Sequence, residues 1–113
     1  MPDDVIPYYL ESMRAMSRQT FMKIFDELLY YRLPAQLSSA DVPTLVTAGG
    51  EEMPLVLESL PEITRSLPRA ESRVAPNMHH GWNGEAPELF SAMIRAWITG
   101  TSLPEGLALP QTA

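Results

Sequence analysis

The chain holds two histidines, and they are neighbours: His79 and His80 in the stretch NMHHGWN. Further back, Glu51 and Glu52 follow a glycine pair in GGEEM. A carboxylate beside an imidazole makes a general base, because it fixes the ring's tautomer and stabilises the imidazolium that forms when the ring takes a proton. If the two stretches meet in the fold, they supply the acid and the histidine of a triad. Adjacent histidines in a turn are otherwise ordinary exposed polar residues, so the weight falls on the elements that place them.

Those elements are legible around both stretches. Val42 and Pro43 lead into the apolar or β-branched run Thr44 to Ala48, stopped by Gly49 and Gly50, which reads as a parallel strand covered on both faces. Leu55, Val56, Leu60, Ile63 and Leu67 follow at roughly helical spacing. Pro61 interrupts them and Pro68 closes them, so a kinked or two-piece helix is expected. AESRVAP, residues 70–76, is a short second strand, and Pro87 to Ile98 is an amphipathic helix through Leu89, Phe90, Met93, Ile94 and Trp97, ended by Gly100. Strand, helix, strand, helix implies a right-handed parallel crossover. Ligands and reacting groups gather beyond the carboxyl ends of such strands, where GGEEM and NMHHGWN both fall.

The flanks are of a different kind. Tyr9, Leu10, Met13 and Met16 have helical spacing, and Ser17 can cap a second helix whose apolar positions are Phe21, Ile24, Phe25, Leu28 and Leu29, ending before Pro34. Lys23, Asp26, Glu27 and Arg32 mark a solvated face. From Thr101, TSLPEGLALPQTA has no period, so residues 101–113 are expected as a flexible tail.

Composition limits the function classes. At 113 residues the chain is one ordinary domain at most, and 45% hydrophobic against 19% charged residues is a globular balance. A net charge of -6 argues against a nucleic-acid partner. The absence of cysteine excludes disulfides, thiol catalysis and thiolate metal sites. No metal or cofactor is expected, since adjacent histidines rarely converge on one ion and no third imidazole or thiol exists to close a site. No apolar run is long enough for a signal peptide or a membrane span, so a soluble cytoplasmic protein with no membrane partner is expected.

VPTLVTAGGEE, followed after a helix by ESRVAPNMHHGWNGEAPELFSAMIRAWI, resembles the C-terminal end of an α/β-hydrolase. Members commonly show a strand of the form V-P-x-L-hydrophobic, then G-x-x-Asp or Glu, and later a strand ending in a proline before the histidine that opens the final helical segment. The resemblance covers roughly residues 40 to 99. It implies an α/β chain with a partial α/β-hydrolase fold. Cap-like helices would occupy residues 1–36, and the C-terminal portion of the core, a strand-helix-strand-helix parallel unit, would occupy residues 37–100. Glu52, three residues after Gly49, takes the place of the catalytic acid, with Glu51 leaving that position open by one residue. His80, seven residues before Pro87, takes the place of the catalytic histidine, and His79 that of the variable residue before it.

No nucleophile elbow G-x-S-x-G occurs among the nine serines, and no oxyanion-hole segment is present. The resemblance therefore implies a C-terminal portion that supplies acid and histidine and is inactive alone. A small-molecule substrate would be turned over once a nucleophile from upstream of Met1 completes the site. The alternative is a truncated, non-enzymatic product acting, if at all, as a protein-binding module. With only two parallel strands a sheet edge is left unpaired, so the chain alone is expected to self-associate or to be only partly folded. Among the remaining residues, Trp82 either lines a pocket beside His80 or packs on the final helix. Glu85 reads as a helix-start carboxylate, and the seven methionines as core filling.

Overall fold

The computed structural model describes residues 3–111, in two units, residues 3–33 and residues 34–111. Residues 1, 2, 112 and 113, which belong to the expected cap-like segment and tail, lie outside the described residues.

In the first unit, α1 spans Ile6–Ala15 and α2 spans Arg18–Tyr30. The Ser17 side chain accepts the Thr20 backbone N–H at 3.1 Å, satisfying one of the free donors at the start of α2 as its residue type foretells. Both helices form, yet neither contains a buried residue. The apolar series of α2 lies open: Phe21, Ile24, Phe25, Leu28 and Leu29 are all exposed. Phe21 and Phe25, one turn apart, meet with ring centroids 4.5 Å apart. That is contact along a single helix, not a core.

In the second unit a 3₁₀ turn, Ala35–Ser39, leads to β1, Thr44–Gly49. Then come α3, Pro54–Ser66, β2, Ala70–Ala75, the single turn α4, Trp82–Glu85, and α5, Pro87–Thr99. The strands pair in parallel from Thr44 with Ala70 to Gly49 with Ala75, so both end at the same level. This is the α/β class read from the sequence. The other edge of β1 has no strand beside it among the described residues.

Of the two alternatives expected for α3, kinked or two-piece, the two-piece one does not form: it is one helix with Pro61 inside it. Proline there removes the N–H that would reach the Leu57 carbonyl. Leu60 beside it is buried to 3% exposure, and α3 packs on both strands, so tertiary burial holds the helix through the missing bond. α5 ends as its sequence foretells, with Gly100 in the left-handed region at φ 67° and its N–H on the last turn.

The core forms where β2 meets the last two helices. Ala75, Trp82 and Met93 are its buried centre. Trp82, 4% exposed, meets Phe90 of α5 edge-on at 4.8 Å, so the indole packs on the final helix and does not line an open pocket. Residues 101–111, expected as tail, have attachments of their own. Val74 and Ala108 exchange two backbone hydrogen bonds of 2.8 Å in an antiparallel bridge, and Leu103 and Leu107 pack on the Trp82 cluster. Without any period, two leucines still cover the core, and β2 still offers a free edge to pair with. Among the described residues, no helix is long and apolar enough to cross a membrane.

Candidate active site

The level ends of the parallel strands bring GGEEM and NMHHGWN together. Beyond β1, the Gly50 N–H donates to the Ala75 carbonyl and the Glu51 N–H to the Met78 carbonyl, both at 2.8 Å. Beyond β2, the chain turns through Asn77, held in the left-handed region at φ 59°, which asparagine tolerates better than most residues. The turn then crosses directly over Gly49. A Cβ on Gly49 would collide with the carbonyl oxygens of Met78 and His79, backbone atoms that cannot swing aside. The glycine that reads as a strand stop is thus also the residue that admits the histidine turn.

At this junction the two imidazoles meet different carboxylates. His80 Nδ1 lies 2.5 Å from Glu52 Oε1, and His79 Nδ1 lies 3.2 Å from Glu85 Oε2. The other Glu85 oxygen accepts the His79 backbone N–H at 3.0 Å. The two histidines of this turn are therefore separately partnered. Each has an acid of its own.

The two pairs differ in exposure. The Glu52 side chain is 8% exposed and the His80 side chain 90%. A sheltered carboxylate facing Nδ1 makes that nitrogen the proton-bearing one and leaves the Nε2 lone pair outward, the arrangement a general base needs. The neighbouring acid takes no part in this, since Glu51 is exposed and meets the turn only through its backbone. In the second pair, the hydrogen bond from the His79 side chain, with a further one from the His79 backbone, holds the Glu85 carboxyl below the ordinary carboxylate range, against an opposing effect of burial.

Sequence reasoning named Glu52 and His80, and the structure brings them together. It missed what Glu85 does: expected as a helix-start carboxylate, Glu85 closes α4 and reaches back to His79, while Glu88 occupies the first turn of α5. No spacing rule links an acid to a turn residue six positions earlier, so the sequence carried no signal for it. Asn77 after Pro76 did carry one, as a turn dipeptide. No family model, curated protein or solved structure matches the chain. The chemistry of the site rests on its own residues.

Proposed function

We propose that this chain is the acid-and-histidine part of an α/β-hydrolase-type enzyme. The observation that carries the reading is the Glu52–His80 pair, a sheltered carboxylate on Nδ1 of an open imidazole, at the level ends of parallel strands. In the reaction His80 Nε2 takes the proton of a hydroxyl nucleophile or of water, Glu52 stabilises the imidazolium, and His80 returns the proton to the leaving group. The nucleophile and the oxyanion donors come from sequence outside these 113 residues, and the bare edge of β1 is where further strands of the same sheet would pair. In the 113-residue chain alone that edge drives self-association. The substrate is a small molecule, and the enzyme is cytoplasmic.

The test has two stages. The 113-residue protein should not be labelled by a fluorophosphonate probe and should turn over p-nitrophenyl acetate negligibly, because a lone imidazole base contributes only about 10²- to 10⁴-fold and the oxyanion donors are missing. Completed by an upstream segment bearing a nucleophile elbow, the protein should gain esterase activity that His80→Ala abolishes, Glu52→Gln reduces strongly and Glu51→Gln leaves nearly intact. Labelling of the chain alone at any serine, or activity surviving His80→Ala, would overturn the reading. A second reading, a non-enzymatic protein-binding module, draws on the open apolar series of α2. It gains ground if the completed protein is inert.

A further inference from the structure

The turn that presents His80 is gripped from two directions. On the strand side, the Glu51 N–H holds the Met78 carbonyl, and the backbone of Met78 and His79 passes closely over Gly49. On the other side Glu85 takes the backbone N–H of His79 with one oxygen and faces the His79 ring with the other. A carboxylate with one oxygen on a peptide N–H and the other on the ring of the same residue restricts both the backbone and the side chain of that residue. His79 directly precedes His80, so this hold sets the direction in which the chain enters His80.

The hold also sorts two chemically identical rings. The turn carries two imidazoles in succession, and Glu52 is met by one of them, that of His80. With the His79 ring engaged by Glu85, the ring left to meet Glu52 is that of His80.

We propose that Glu85 is a positioning residue: by clamping His79 it fixes the turn and reserves Glu52 for His80. The inference rests on the reading of His80 as the base, since a positioning residue needs something to position. The exposure of the partners fits this role. The Glu85 side chain is 25% exposed against 70% for His79, so the carboxylate is the seated member of the pair and the ring comes to it.

The test is spectroscopic and uses the whole 113-residue chain with ring-¹⁵N-labelled histidine, at about pH 8.5, above the ordinary histidine range. Wild type should show His80 as its Nδ1–H tautomer and the His79 amide protected from hydrogen exchange. Glu85→Ala should lose both signals while the Trp82 indole resonance stays in place. Glu85→Gln should keep both, because its amide oxygen still accepts the His79 N–H. An unchanged His80 tautomer in folded Glu85→Ala would overturn the proposal and leave the Glu52–His80 pair standing. Should Glu85→Ala unfold, Glu85→Gln decides: loss of the His80 tautomer with the His79 amide still protected would overturn the clamp. Absence of the Nδ1–H tautomer in wild type would remove both the pair and its positioning residue, an outcome distinct from the other two.

Discussion

Residues 3–33 and residues 34–111 follow the same rule of helical amphipathicity and reach opposite ends. α2 and α5 have 13 residues each and a comparable apolar stripe, but α2 buries nothing while α5 buries Met93 and Ala96. Helix-forming pattern is a local property, and a core is not. α5 lies beside a strand end and a tryptophan that need covering, whereas within residues 3–33 there is no third element to close over Phe21 and Phe25. Most helix stability in proteins comes from such covering, and the site inherits the difference. Glu52 and His80 sit on turns anchored to a packed sheet, the rigid footing that the proposed acid–base role would require.

The sharpest way to break this contrast is to remove its centre. Trp82→Ala should destabilise residues 34–111 by roughly 3–5 kcal/mol, much of the stability of a small domain. Phe25→Ala, at a residue 45% exposed, should change stability by under about 1 kcal/mol. Urea melts followed by far-UV circular dichroism measure both, and equal effects would erase the distinction between the units.

A smaller effect separates two glycines of the same unit. Gly49→Ala drives a methyl into the carbonyls of the histidine turn and should cost about 1–3 kcal/mol. At Gly81 nothing lies within 4 Å of an added Cβ, so Gly81→Ala should stay within about 0.5 kcal/mol of wild type. Thermal melts of the pair sharpen the claim that the turn crosses Gly49, and a harmless Gly49→Ala would refute it. Smaller again is the bridge that ties down the C-terminal stretch. Ala108→Pro removes the N–H donated to Val74 and about 1 kcal/mol with it, with faster amide exchange at Val74 as the readout.

The least of these effects is a pH dependence. The Glu85 carboxyl is held low in the folded state, chiefly by the hydrogen bond from the His79 side chain. Its contribution is fully present above the unfolded value of about 4.3 and is lost as pH falls through the lower folded value. Acid melts should therefore show wild type losing stability below about pH 4.5 more steeply than Glu85→Gln. Parallel curves would mean that the Glu85–His79 contact does not persist in solution.

How much of this the sequence foretold depends on the range of the interaction. The strands, the Ser17 cap, the Gly100 stop and the Glu52 and His80 positions were legible, because residue type and short spacing encode them. Which of a kinked or a two-piece helix forms around Pro61 was not, since it depends on what Leu60 packs against. Nor was the exposure of α2, for the pattern that foretells an apolar face says nothing of a partner for it. The contact of Glu85 with His79 was hidden for a third reason: a carboxylate before a helix proline is good as a helix-start residue, and that local role masked the longer reach.

The central claim is that Glu52, and not its neighbour, holds His80 with Nδ1 protonated and Nε2 open. It is tested most directly by the ring ¹⁵N spectrum of His80 in wild type, Glu52→Gln and Glu51→Gln, recorded at about pH 8.5 on the whole chain. Wild type and Glu51→Gln should show the Nδ1–H tautomer, and Glu52→Gln should lose it. A His80 spectrum indifferent to Glu52→Gln, or altered by Glu51→Gln instead, would contradict it.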